Sequence, residues 1–441
     1  MKTSTPRPLS IVVFWLPLAA TWLMMALELP YVGAIVARMP EPEVNLAAFG
    51  VATALAWLVE SPIMMLLSAT TALVHDRASY LALRRFAFLM NVLVTMGMLL
   101  LIAPPVFHFV AVGLIGLPPA IAQAAHAATA VLVLWPASIG YRRFYQGVLV
   151  RAQQPKRVAY GTVIRLISMS ATAALLALTV RLPGALLGAV ALAVGVLCEA
   201  VASRIMAGPA LEGLPGQPST ASPLTLRGIA RFYYPLALTS MLTMALMPLV
   251  TFGLGHGAAP IESLAVWPIV SAMVFLFRSG GVAYQEVAIA LISDDPRHER
   301  VVRRTGLLLG ILTSVVLTLV AFTGLQRIWF EDISGLEHGL AVFAVWPVRL
   351  LVALPALEFL LSIQRARWIV AQRTRLITIA TVIEGATLAI VLALAIGALN
   401  IVGVIAGAAG MLVARIAANL YLEACERRYR LGTLLEGRDS T

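Results

Sequence analysis

Ten ionisable side chains interrupt runs of sequence that are otherwise apolar: Glu28, Glu60, Arg165, Glu199, Arg278, Glu286, Arg349, Glu358, Glu384 and Arg415. At the centre of a membrane helix each costs about 2.5–3.5 kcal/mol. Each must therefore meet a partner, an aqueous cavity or a ligand. The chemistry these residue types offer is recognition and charge exchange. Guanidiniums at Arg165, Arg278 and Arg349 are suited to bind an anion, and with Glu60 they form the candidate substrate-binding set. Glu28 and Glu384 are the candidate ion-coupling carboxylates, able to take up a proton or a sodium ion.

The elements that carry these residues must be membrane helices. The chain of 441 residues is 60% hydrophobic and 12% charged, a balance no soluble domain can bury. Apolar runs of roughly 20 residues or more, the length needed to span a bilayer, occur at about 11–37, 45–72, 83–103, 120–148, 158–180 and 183–204. A second set follows at about 229–254, 262–292, 305–325, 340–364, 376–397 and 400–423. The first run is too long, and too broken by Pro17 and Glu28, for a cleaved signal peptide.

Lys and Arg crowd alternate, cytoplasmic segments, with Arg142, Arg143 and Arg365 counted among them, whereas the loops between hold only Arg38, Arg181 and Arg327. By the positive-inside rule both termini are cytoplasmic. The basic pI of about 10.2 is thus a topological signal and points to no nucleic-acid partner. Almost all basic residues are Arg, a skew expected of a GC-rich bacterial genome, which places the chain in a bacterial inner membrane.

The two sets of spans are related. Phe14-Trp15-Leu16-Pro17-Leu18-Ala19 returns as Phe232-Tyr233-Tyr234-Pro235-Leu236-Ala237, 218 positions later. Thr162-Val163-Ile164 returns as Thr381-Val382-Ile383, and Gly184/Gly188 as Gly403/Gly407, each 219 positions later. Six spans per half give parallel repeats related by an axis along the membrane normal. The expected fold is all-α, with two pseudo-symmetric six-helix bundles. The expected divisions are a first lobe at 1–208, a cytoplasmic linker at 209–228, a second lobe at 229–425 and a cytoplasmic tail at 426–441.

The repeat also relates the charges. Glu60 falls on Arg278 and Arg165 on Glu384, so equivalent positions carry opposite signs. Two readings are open. Glu60 with Arg165, and Arg278 with Glu384, are salt bridges holding spans together, or Glu60 and Arg278 form a pair that breaks as access alternates. Glu28 has no charged counterpart in the second half, where the equivalent position falls near Ala245, so it reads as an unpaired carboxylate. Glu199, Glu286 and Glu358 lie nearer the cytoplasmic ends, within reach of headgroups or loop arginines, and Arg349 is a ligand or snorkels.

No other chemistry has a foothold. Cys198 and Cys425 make no framework, the six histidines have no metal-ligand spacing, and neither a Walker loop nor a catalytic triad motif occurs. Neither an enzyme nor a resident cofactor is expected, and transport is either driven by a gradient or runs as facilitated passage.

The aromatic-x-x-Pro-Leu-Ala stretch that opens both halves resembles the multidrug/oligosaccharidyl-lipid/polysaccharide exporter superfamily, to which the MATE transporters belong. More narrowly, the chain is similar to the progressive ankylosis protein family and its bacterial relatives. The residues that carry this are Ala48-Phe49-Gly50-Val51-Ala52 with Pro62, Gly147-Val148-Leu149, Phe232-Tyr233-Tyr234-Pro235-Leu236-Ala237-Leu238, Glu262-Ser263-Leu264-Ala265-Val266 and Val348-Arg349-Leu350. The resemblance covers about 14–425 and implies a V-shaped, alternating-access exporter with a central cavity. Animal members are associated with export of pyrophosphate, nucleotide or citrate; the long acidic tail associated with them has no counterpart here. The implied partners are a small anionic molecule, a coupling proton or sodium ion, and membrane lipid. A cation-coupled multidrug exporter and a flippase for lipid-linked oligosaccharides are the alternatives.

Overall fold

The structure is a computed structural model that describes residues 6–216 and 224–436. Within them, twelve helices are long and apolar enough to cross a membrane, in the order the apolar runs predict. The first six are α1 (Pro8–Val36), α2 (Pro42–Leu73), α3 (Arg77–Ile102), α4 (Pro119–Arg151), α5 (Pro155–Thr179) and α6 (Gly184–Glu212). The second six are α7 (Leu226–His256), α8 (Pro260–Asp294), α9 (Glu299–Phe322), α10 (His338–Val370), α11 (Arg375–Ala398) and α12 (Gly403–Glu436).

Local chemistry sets the ends of these helices. Pro42, Pro119, Pro155 and Pro260 start theirs, where a missing N–H leaves no partner wanting. Before α3, Asp76 Oδ1 accepts from Ser79 N at 2.7 Å while Asp76 N donates to Ser79 Oγ at 3.0 Å, a reciprocal cap. Interior prolines rewind the chain in both halves. Pro136 and Pro355 each displace the carbonyl four residues earlier, and 3₁₀ turns sit there at Leu132–Leu134 and Leu351–Ala353. Pro62 does the same to α2 at Ser61–Ile63, where Ser61 Oγ donates to the freed Leu58 carbonyl at 2.8 Å.

The backbone repeats more faithfully than the sequence does. π turns at Phe109–Leu114 and Ile328–Ile333 are 219 residues apart. The left-handed residues pair as Glu41 with Ala259, Gln153 with Gln372 and Gly116 with Gly335. Ala185 N donates to Asn45 Oδ1 at 2.9 Å, and Val404 N to Ser263 Oγ at 3.1 Å, so α2 and α8 cap α6 and α12 alike. Gly184, Gly188, Gly403 and Gly407 are close-approach sites: Gly188 leaves 2.9 Å to the Phe49 ring, and Gly407 leaves 2.7 Å to Leu254, for a would-be Cβ.

The division into compact units is not a simple cut at the linker. One unit runs from Ala20 to Ser240; the other runs from Met241 onward and also takes in the start of α1 as far as Ala19. The repeated aromatic block is what makes this exchange. In the second unit Trp15 Nε1 donates to the Gly280 carbonyl at 2.8 Å. In the first, Tyr233 Oη donates to the Pro62 carbonyl at 2.6 Å. Trp15 and Tyr233 are equivalent in the repeat, as are Gly280 and Pro62.

The segments expected as tail and linker both carry helix. α12 continues past residue 426 to Glu436. In the linker, Gly208–Glu212 is a helical turn and Pro215 O accepts from Arg77 N at 3.1 Å; residues 217–223 lie outside the described residues.

Candidate functional site

Each unit holds its own cluster of intramembrane charges. In the unit of Ala20–Ser240 the hub is Glu199 on α6, wholly buried. It accepts from Arg142 Nη1 at 2.6 Å, from Gln146 Nε2 at 3.0 Å and from Thr162 Oγ1 at 3.1 Å. Arg165 Nη1 stands 3.6 Å from the same carboxylate, and its Nη2 donates to Glu28. Helical spacing brings these donors together: Arg142 and Gln146 are four apart on α4, Thr162 and Arg165 three apart on α5.

The unit from Met241 onward inverts the arrangement. Its hub is Arg415 on α12, which contacts Glu358 Oε2 at 2.7 Å and Glu384 Oε1 at 2.8 Å. Arg278 donates to the same Glu358 oxygen through Nε at 3.1 Å and Nη2 at 2.8 Å. Gly281 makes room for this, since a Cβ there would stand 3.0 Å from Glu358 Cγ. Arg365 joins through Thr381 at 3.3 Å, and its charge acts most strongly on Glu384.

The pairs differ from those expected. Arg165 is partnered by Glu28 and Glu199, not by Glu60, and Glu28 is therefore not an unpaired carboxylate. Its second oxygen, Oε1, is buried without a hydrogen-bond partner. Arg278 meets Glu358, and Glu384 meets Arg415, so the expected Arg278–Glu384 bridge is replaced by a four-residue chain. The reason is reach along the helices: Glu358, seven residues from Arg365 on α10, faces α8 and α12 together. Glu60 is buried, Arg143 is the cation whose charge acts on it most strongly, and its Oε2 has no hydrogen-bond partner. Arg349 stands apart from these clusters. Its Nε donates to Ala321 O at 3.2 Å and its guanidinium lies over the rings of Phe322 and Trp346.

Reading the sequence missed Arg142, Arg143 and Arg365 by assigning them to cytoplasmic segments, and it left Glu199 and Glu358 at the margins. Arg142, Arg143 and Arg365 lie inside because α4 and α10 run on to Arg151 and Val370, and Glu199 and Glu358 are buried among their partners. The available signal was the polar face made by Arg142 with Gln146 and by Glu358 with Arg365.

No protein-family model matches the sequence, and no curated protein sequence does either. Solved structures do. A complex of a MATE protein with MaL6 superposes with a TM-score of 0.76 over 98% of each chain, at 15% identity. The fold is that of a MATE transporter. A mutant of the MATE transporter VcmN from Vibrio cholerae gives a TM-score of 0.75 over 96% of this chain and 97% of its own, again at 15% identity. A MOP superfamily transporter from Pyrococcus furiosus, described as having a binding pocket of reversed polarity, gives 0.73 over 97% and 98% at 13% identity. At these identities the MATE likeness concerns architecture. The buried clusters of this chain speak for themselves on charge.

Proposed function

We propose that this chain is a secondary-active exporter that works by alternating access and carries a small organic or phosphorylated anion, of the pyrophosphate, nucleotide or citrate class. The observation that carries the reading is the balance of the Arg415 cluster. Among the described residues the contacts of this cluster join three guanidiniums, Arg278, Arg365 and Arg415, to two carboxylates, Glu358 and Glu384, a positive excess in apolar surroundings. An uncompensated buried guanidinium is costly until an anion joins it. Arg278 is the one to receive the anion, because its side chain is 17% exposed whereas that of Arg415 is 8% exposed.

Coupling falls to the carboxylates. Glu28, with one oxygen on Arg165 and the other unpartnered, is placed to exchange that guanidinium for a proton or a sodium ion. Glu384 holds the matching place on Arg415, and Glu60, under the charge of Arg143, is a second acidic position. The orientation proposed is both termini cytoplasmic in a bacterial inner membrane, and the kinship proposed is with the bacterial relatives of the progressive ankylosis family. A second reading, a cation-coupled multidrug exporter, has the support of the outward-facing multidrug resistance MATE transporter whose fold this chain shares at a TM-score of 0.74.

Thermal unfolding of the purified chain separates the two. A ligand at 100 times its Kd stabilises by about 2.7 kcal/mol. Pyrophosphate, a nucleotide or citrate should raise the unfolding temperature of the wild type and leave Arg278→Ala unmoved. Stabilisation by lipophilic cations alone would replace the anion reading with the multidrug one.

A further inference from the structure

One cavity lies outside both charge clusters. It measures about 250 Å³ and is lined by Gln326, Arg327, Glu331, Val342, Trp346 and Arg349, among others. At about 30 Å³ per water it has room for roughly eight. It sits at the ends of α9 and α10 on the face where basic residues are sparse. Arg349 is eleven residues into α10, about 16 Å along its axis. Side chains lean toward the start of their helix, and Arg349 does so far enough to meet the Ala321 carbonyl in the last turn of α9. Its guanidinium therefore lies at the level of a helix end, where the hydrocarbon gives way to headgroups.

The cavity has the makings of a built site. Arg349 uses Nε on Ala321 and rests against two aromatic rings, so its Nη groups remain to donate into the cavity. Arg327 is exposed at the rim. Gln326 is only 6% exposed, yet its Oε1 has no hydrogen-bond partner. Glu331 is already engaged by His338 at 2.9 Å. The outer wall, Trp346 and Val342, is exposed apolar surface on a membrane helix, where acyl chains would run.

The other half shows the same place filled. Phe107 stands where Gln326 does, and its ring packs at a tilt against His126, with centroids 4.7 Å apart. His126 Nε2 in turn meets the Ile102 carbonyl at 2.8 Å, the equivalent of Ala321. One half thus plugs the end of its third helix with an aromatic pair. The second half puts an unsatisfied amide and a guanidinium there and leaves the space open.

We propose that this cavity binds the headgroup of a membrane phospholipid, its phosphodiester held by Arg349 and Arg327. A hydrogen-bond donor on the headgroup would satisfy Gln326 Oε1. The donor requirement admits the hydroxyls of phosphatidylglycerol or the ammonium of phosphatidylethanolamine and disfavours phosphatidylcholine, which has none.

Native mass spectrometry of the full chain, stripped of lipid and titrated with these three lipids, tests it. Phosphatidylethanolamine should bind at least about tenfold more tightly than phosphatidylcholine, as one charge-assisted hydrogen bond implies, and phosphatidylglycerol more tightly by a smaller factor through its neutral hydroxyls. Arg349→Gln should weaken binding of all three lipids, because each carries the phosphodiester. Gln326→Phe, which installs the ring the first half carries, should remove the margin over phosphatidylcholine while keeping the fold, and covers the case in which Arg349→Gln unfolds. Equal binding of phosphatidylcholine, undiminished binding by Gln326→Phe, or full displacement by inorganic phosphate would overturn the assignment; the last would make the cavity a site for a free anion.

Discussion

In the register of the repeat Glu199 of α6 falls on Ala418 of α12, about one turn past Arg415, and Glu199 and Arg415 do the same task with opposite charge. The first is an anion that gathers Arg142, Gln146, Thr162 and Arg165; the second is a cation that gathers Glu358 and Glu384. The backbone around them repeats, down to matched π turns and left-handed residues. Packing geometry and charge are thus separable properties of this architecture. A shared fold fixes where polar side chains converge and leaves the sign of the convergence open.

The sharpest way to break this comparison is to remove each hub. Glu199→Ala takes from Arg142 its carboxylate partner and leaves Arg165 on Glu28 in a dry interior, and loss of one partner of a buried pair costs about 3–5 kcal/mol. Arg415→Ala should cost less, because Arg278 still covers Glu358 and Arg365 still acts on Glu384. Thermal unfolding of the two purified variants would decide. If Arg415→Ala proves the more damaging, the hubs are not equivalents of opposite sign.

The architecture was legible in the sequence because a bilayer demands long apolar runs, and these survive without knowledge of any tertiary contact. The gross repeat was legible for the same reason, in Phe14 to Ala19 and Phe232 to Ala237. The partners of the charges were not. Glu28 and Arg165 lie 137 residues apart, and no spacing rule joins them. Arg142 and Arg365 read as loop residues because an arginine near the end of an apolar run is the ordinary sign of a membrane boundary. Their helices continue past that boundary, and the face they share with Gln146 and Glu358 was the only local trace of their burial. The roles of Trp15 and Tyr233 were hidden in another way. Their block announces the repeat, but not that each half lends the start of its first helix to the other unit.

That exchange supplies a smaller test. Tyr233→Phe removes one hydrogen bond, to Pro62 O, and keeps the edge-on packing of the ring against Phe86 at 5.1 Å. The expected loss is about 1 kcal/mol. Trp15→Phe removes the equivalent bond to Gly280 O and additionally empties space, since the indole sits 2.8 Å from where a Gly280 Cβ would be. Calorimetric unfolding should rank Trp15→Phe as the costlier. Equal losses would mean that the hydrogen bond alone matters at both places.

The glycines opening α6 and α12 sharpen the comparison at the smallest scale. They are equivalent in the sequence and differ in what surrounds them. A Cβ on Gly403 would meet the Leu254 carbonyl oxygen at 2.7 Å and its Cα at 3.0 Å. That backbone cannot yield easily, because Gly403 N donates to Ala258 O at 3.0 Å and ties the start of α12 to the end of α7. On Gly184 the nearest atoms are all side chain: Val36 Cγ1 at 3.1 Å, with Asn45 Cβ and Met39 Cβ at 3.2 Å. Overpacking against backbone should put Gly403→Ala within the usual range of about 1–3 kcal/mol. Gly184→Ala needs shifts of only a few tenths of an ångström and also gains helix propensity, so it should be nearly silent. Unfolding midpoints that fall together for the two variants would show that the close contact of α7 with α12 is softer than its geometry implies.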